Sequence, residues 1–278
     1  MSKVLYHKIY KHPSSEEWVT FIHGAGGSSG IWHRQLRAFR EHFNLLLIDL
    51  RGHGRSKEFS ANDDSEYTFP LISKEVMDVL DHHRIRKSHF VGVSLGSIII
   101  RTIAHFYPER VLGMIQSGAI LKLDFRTRTL VAIGNLFKHL VPFIWLYKLF
   151  ARIIMPRKSH YWSRKLFVDE ARKMDNNEFL KWFPLAYGLN AYMKKKINPP
   201  ESVPDLFLMG EEDYLFLPIV KETVKNFANK TLRVVPEAGH VSNVDNAEYF
   251  NKIAIDFIKK HSPSLKSSLA FRSSDSFI

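Results

Sequence analysis

Residues 89–97 read "HFVGVSLGS". An apolar run that starts as a strand meets Gly92, Ser94 and Gly96 at alternate positions. A second apolar run, "LGSIIIRTIAHF" (95–106), follows at helical length. A strand that ends on Gly-x-Ser-x-Gly and passes at once into a helix must turn sharply. Small residues two places either side of the serine let strand and helix approach. The Ser94 hydroxyl then projects from the turn, near the positive end of the helix dipole. By itself the pentapeptide also suits an ordinary strand–helix turn that happens to contain a serine. The rest of the chain decides between the two.

On either side of this stretch, short apolar runs alternate with amphipathic ones. "VTFIHG" (19–24), "NLLLIDL" (44–50), "SHFVGVS" (88–94), "VLGMIQSG" (111–118), "DLFLMG" (205–210) and "TLRVVPEAG" (231–239) read as strands. They are continuous rather than alternating, as strands covered on both faces should be. Helical stretches lie between them, near 31–42, 70–84, 95–107, 215–228 and 245–260. "KVLYHKIY", by contrast, alternates and reads as an edge strand. The fold class expected is α/β: a mostly parallel, doubly wound sheet of seven or eight strands flanked by helices, with an inserted helical lid. The expected division is a first core part (1–120), the lid (121–200), a second core part (201–261) and a flexible tail (262–278). That tail, "SPSLKSSLAFRSSDSFI", has seven serines and no periodicity.

Composition narrows the chemistry. The 278 residues are 45% hydrophobic and 24% charged, the balance of an ordinary globular protein. There is no cysteine, which excludes disulfides, thiolate metal sites and a cysteine nucleophile. "MSKVLYHKIYKHPSS" has no apolar signal core, and the most apolar stretch, Leu130 to Ile154, is interrupted by Lys138, His139, Pro142, Lys148 and Arg152. A cytoplasmic chain is therefore expected. The net charge is +12, and its placement is uneven. From Lys122 to Lys196 there are 16 Lys/Arg against 5 Asp/Glu; the rest of the chain holds 24 against 23. One segment carries nearly all the excess, as a unit with its own partner surface would.

A serine hydroxyl is a poor nucleophile without a base, and a histidine base needs a carboxylate to orient it. Asp213 follows the strand "DLFLMG", and His240 follows the strand "TLRVVPEAG". Each lies just past a strand's carboxyl end, where open α/β sheets carry their reactive groups. Glu211 and Glu212 are the rivals to Asp213. A tetrahedral oxyanion would also need backbone N–H donors. The amide of Leu95 is one candidate. The other is the amide of Ala25 in the glycine-rich "FIHGAGGSSGIW" (21–32), where His23 reads as a brace. This loop has neither the G-x-x-x-x-G-K-[ST] pattern nor the G-x-G-x-x-G spacing of a phosphate cradle.

These residues carry a resemblance. The chain resembles the α/β-hydrolase superfamily at "HGAGGSSGIW" (23–32), "DLRGHGRS" (49–56), "GVSLGS" (92–97), "GEEDYLFLP" (210–218) and "PEAGHVSN" (236–243). The resemblance covers about 19–120 and 201–261. It implies nucleophile Ser94, acid Asp213 and base His240, with "DLRGHGRS" a structural turn that supports the site. Relatives that use an aspartate nucleophile, the dehalogenases and epoxide hydrolases, are set apart by Ser94. Only about 18 residues precede the first core strand, fewer than many members carry. The lid matches no named subfamily.

In the lid, Leu136, Phe137, Leu140, Val141, Ile144 and Trp145 follow helical spacing, with Pro142 as a kink or break. The plain reading is a helix that covers a catalytic pocket and buries this apolar side on the core. The sharper one adds peripheral contact with an anionic membrane. Lys194-Lys195-Lys196 reads as a solvated corner, and no nucleic-acid motif is present. The activity expected is hydrolysis of a hydrophobic carboxylic ester or lipid ester through an acyl-enzyme, with no cofactor and no metal. The alternatives are a ligand-sensing signalling protein with slow turnover and, on the same scaffold, carbon–carbon bond hydrolysis or cofactor-free peroxidation.

Overall fold

The computed structural model describes residues 4–59, 65–194 and 199–262. The serine-rich tail beyond Ser262 and Lys195 and Lys196 of the lysine run lie outside the described residues.

Seven strands form one sheet in the order β1-β3-β2-β4-β5-β6-β7. They are β1 (His7–Tyr10), β2 (Trp18–Ile22), β3 (Asn44–Ile48), β4 (Ser88–Val93), β5 (Val111–Ser117), β6 (Asp205–Gly210) and β7 (Lys230–Val235). Only β1 is antiparallel, against β3; every other pair is parallel. The edge position read from the alternation of "KVLYHKIY" is therefore correct. All five residues of β3 and all six of β4 and of β6 are buried, as continuous apolar runs require. The expectation of burial on both faces fails for β7. It is the other edge strand, and its exposed Thr231 and Arg233 alternate with half-buried neighbours. A charged outer side is one way to blunt a sheet edge.

Helices α1 (His33–Arg40), α2 (Phe69–His82), α3 (Leu95–Phe106), α8 (Leu217–Val224), α9 (Ser242–Asp245) and α10 (Ala247–His261) flank the sheet. Local chemistry sets their starts. Thr68 accepts from the Leu71 N–H ahead of α2, whose first turn also holds Pro70. Asn246 accepts from the Tyr249 N–H ahead of α10. Two apolar cores result. One contains Leu46, Val76, Phe90, Ile99 and Phe207; the other contains Phe21, Trp32, Leu47, Ile115 and Phe250.

Between β5 and β6 the described residues form four further α-helices: α4 (Phe125–Phe137), α5 (Phe143–Ile154), α6 (Tyr161–Ala171) and α7 (Asn176–Lys194). Asp124 caps α4 through the Thr127 N–H. Pro142 marks a break, since α4 stops at Phe137 and α5 starts after the proline. The buried side of the insertion differs from the one expected. Leu136, Phe137, Leu140 and Trp145 are exposed, whereas Leu146, Tyr147 and Ala151 are buried. The break resets the helical phase, so a stripe read straight through Pro142 does not stay on one face.

Buried titratable groups set an acid limit on stability. Burial holds the imidazoles of His53 and His89 down at about 3 and lowers that of His23. Unfolded histidines titrate near 6.5. Between these values the unfolded chain binds the extra protons, so this contribution is fully present above about pH 6.5 and is lost as pH falls toward 3. Asp205 acts in the opposite sense: burial raises its carboxyl to about 6, so its contribution is lost as pH rises through that value. Burial also raises the Asp245 carboxyl, and the three histidines outweigh the two aspartates. The melting temperature is expected to fall on acidification from neutral pH, and a scan showing it level or rising would contradict this account.

Candidate active site

Ser94 sits between β4 and α3 at φ 54°, ψ −116°. A positive φ is uncommon for a residue with a Cβ, and strain of this kind costs about 1–3 kcal/mol. Burial of Ile98 and Ile99 in the first turns of α3 offsets it, at about 1.5–3 kcal/mol for each such side chain. The glycines do the work expected of them. A Cβ on Gly92 would lie 2.5 Å from the Gly96 carbonyl oxygen, and one on Gly96 would collide with the Ile22 carbonyl.

The parallel register brings the carboxyl ends of β4, β6 and β7 to one edge of the sheet. Ser94, Asp213 and His240 follow those three strands, and the structure brings them together. His240 Nε2 lies 3.0 Å from Ser94 Oγ, and His240 Nδ1 lies 2.8 Å from Asp213 Oδ2. An ionised carboxylate only accepts, so Nδ1 carries the proton and donates to Asp213. Nε2 is left to accept from the serine hydroxyl. Asp213 is fully buried, and its other oxygen accepts from the Phe216 N–H at 3.2 Å. The rival carboxylates point elsewhere. Glu211 accepts from the Glu237 N–H, and Glu212 pairs with Arg157 and His160 of the insertion. The His240 loop is itself held close. A Cβ on Gly118, at φ +50°, would collide with the His240 carbonyl, and the hydroxyls of Ser117 and Ser242 bond at 2.9 Å.

Leu95 supplies the first amide of α3, whose N–H has no intrahelical acceptor. Ala25 lines the same cavity as Ser94 and His240. The next two amides have internal partners: Gly26 N–H donates to His53 Nε2 and Gly27 N–H to the Gly24 carbonyl. A Cβ on Gly24 would lie 3.2 Å from Ser94 Cβ, so this loop runs directly beside the serine.

His23 braces the loop. Its Nδ1–H donates to the Gly24 carbonyl, and its Nε2 accepts from the Leu50 N–H. The turn 49–56 does the same from below. Asp49 accepts from the N–H groups of Ser29 and Arg55, and His53 donates from Nδ1 to the Arg51 carbonyl while Nε2 accepts from Gly26. Both imidazoles are held neutral by burial. Sequence reasoning gave His53 no individual role; its place between two glycines in "DLRGHGRS" was the available signal. It also missed Glu170, which accepts from the Ser28 hydroxyl at 2.6 Å. No local pattern links residues 142 positions apart.

Ser94 and His240 open into an apolar cavity of about 200 Å³. The core lines it with Phe69, Ile98, Leu215 and Phe216, and the insertion with Leu130, Val131, Tyr147, Phe150, Phe179 and Phe183. Burial pushes the Tyr147 hydroxyl above its ordinary range, so it stays protonated. A smaller recess of about 30 Å³ lies beside Ser94 and His240 as well, bounded by Gly27, Leu166, Glu170 and Val241.

The chain as a whole is similar to known proteins. The α/β-hydrolase fold family matches residues 17–137. A protein of Acinetobacter baylyi, provisionally assigned as the carbamate hydrolase RutD, is 26% identical over 92% of this chain and 99% of its own. The pimeloyl-[acyl-carrier protein] methyl ester esterase of Wigglesworthia glossinidia brevipalpis is 26% identical over 87% of this chain and 93% of its own. Among solved structures, an esterase from Exiguobacterium antarcticum superposes with a TM-score of 0.77 at 16% identity, over 92% of this chain and 95% of that one. The sheet order, the elbow at Ser94 and these likenesses lead to one conclusion: the chain has the α/β-hydrolase fold.

Proposed function

We propose that this protein is a serine hydrolase of carboxylic esters with a hydrophobic acyl group. The observation that carries the reading is the Ser94 hydroxyl, 3.0 Å from His240 Nε2, at the edge of an apolar cavity. Ser94 Oγ attacks the acyl carbonyl while His240 Nε2 takes the hydroxyl proton. Asp213 holds the imidazole in the required tautomer and stabilises the imidazolium that forms. The amides of Ala25 and Leu95 donate to the oxyanion. Collapse of the tetrahedral intermediate breaks the ester C–O bond, and His240 gives its proton to the leaving alkoxide. Water, deprotonated by His240, then hydrolyses the acyl-serine.

Both curated relatives are named for hydrolysis at an acyl carbonyl bearing a heteroatom, one a carbamate and one a methyl ester. That supports the bond type. The cavity supports the acyl preference. Each methylene buried is worth about 0.8 kcal/mol, or roughly fourfold in kcat/KM. A series of p-nitrophenyl esters should therefore rise by about that factor per added carbon until the cavity is filled. A flat or falling series from acetate onward would remove the cavity as the acyl site. Absence of turnover on every ester would remove the ester reading itself.

A further inference from the structure

From Phe125 to Val168 the sequence contains nine Lys/Arg and no Asp or Glu. This is the part of the chain that forms α4, α5 and most of α6. Helices α4 and α5 each have two distinct sides. On α4, Leu130 and Val131 face the cavity, and Gly134 lies so close to Phe150 and Phe183 that a Cβ there would meet their rings. The opposite side carries Phe125, Ile133 and Leu136, with Leu140 just beyond the helix end, all exposed. On α5, Tyr147, Phe150 and Ile154 face the cavity, while Trp145, Lys148, Leu149 and Arg152 form the exposed side at spacing i, i+3, i+4, i+7.

Isolated exposed leucines are ordinary. Here Phe125 is 83% exposed, Leu136 67% and Trp145 61% on two consecutive helices, and Leu140 is 71% exposed on the short link between them. Large apolar side chains exposed in this number on neighbouring segments suit an interaction surface. The chemistry around it selects the partner. Arg126 and Arg128 follow Phe125, whose other neighbour Asp124 is engaged as the α4 cap, and Lys148 and Arg152 flank Leu149. Aromatic and aliphatic side chains set among cations, with no acidic residue between, suit insertion at the boundary between acyl chains and anionic head groups. Among the described residues no helix is long and apolar enough to cross a membrane, so such contact would be peripheral.

We propose that the outer face of α4 and α5 docks on a bilayer surface bearing anionic lipids. The same two helices wall the cavity, so docking would set the entrance for a hydrophobic substrate next to the lipid phase.

The test is flotation of the full chain with vesicles of phosphatidylcholine alone or with one third phosphatidylserine. The protein is expected to float with the mixed vesicles, with binding about tenfold or more weaker on phosphatidylcholine alone and reduced by salt. Two double variants separate the contributions: Trp145→Ser with Leu149→Ser, and Lys148→Glu with Arg152→Glu. Each should weaken binding to the mixed vesicles by about tenfold or more. None of these four side chains lines the cavity, so melting temperature and turnover of a short soluble ester should stay at the wild-type level, which excludes misfolding. Failure of the wild type to prefer the mixed vesicles would overturn the proposal. So would binding that is insensitive to Trp145→Ser with Leu149→Ser and matched by binding to a single-stranded oligonucleotide, which would mark a general polyanion surface. Flotation needs no turnover, so the result is independent of the role of Ser94, and the Ser94→Ala variant should float equally well.

Discussion

Replacing Ser94 with alanine is expected to lower kcat/KM for a p-nitrophenyl ester by about 10⁵-fold or more, to the residual rate that binding and the oxyanion donors alone sustain. Alanine removes only the hydroxyl. It keeps the Cβ and the strained backbone at φ 54°. The melting temperature should therefore stay close to that of the wild type, and covalent labelling by a fluorophosphonate should disappear. Activity within tenfold of wild type would end the assignment of Ser94 as nucleophile. Loss of both activity and folding would be resolved by Ser94→Gly. Glycine relieves the positive φ and should be as stable as the wild type or more so, while remaining inactive.

Asp213→Asn should cost about 10⁴-fold in kcat at neutral pH with the fold retained. The reason lies in the two bonds of this carboxylate. One oxygen accepts from the Phe216 N–H at 3.2 Å, and the other from His240 Nδ1–H at 2.8 Å. An asparagine can keep the first bond with its carbonyl oxygen, which turns its NH₂ toward Nδ1. The imidazole must then accept at Nδ1 and carry its proton on Nε2. In that tautomer it donates toward Ser94 and cannot take the serine proton. Glu212→Gln is the matched control. Glu212 pairs with His160 and Arg157 rather than His240, so its loss should leave turnover within about tenfold. A larger loss for Glu212→Gln than for Asp213→Asn would reverse the choice of acid.

Features of this chain fixed by local physics are legible in its sequence, and those fixed by distant contacts are not. The elbow at Gly92, Ser94 and Gly96 was legible because its steric demand is met within five residues. The strands were legible for a similar reason: burial on both faces leaves a continuous apolar run in the sequence, as in Asn44–Ile48. The same rule misled at β7, where the edge position leaves Thr231 and Arg233 in solvent. In the insertion it was helical periodicity that misled, because the stripe crossed the break at Pro142.

The sequence by itself determined the order of elements, the turn that exposes Ser94 and the loops that carry Asp213 and His240, since each depends on residues close in the chain. Only the tertiary structure decided which of three adjacent carboxylates meets His240. It alone showed that His53 braces the Ala25 loop, that side chains of the insertion line an apolar cavity together with the serine, and that Phe125, Leu136, Trp145 and Leu149 on the other side of α4 and α5 are exposed. Those outcomes depend on contacts between segments tens to more than a hundred residues apart, such as Ser94 with His240 or Ser28 with Glu170. Residue periodicity tells how a segment folds; it carries no information about which distant segment comes to lie against it.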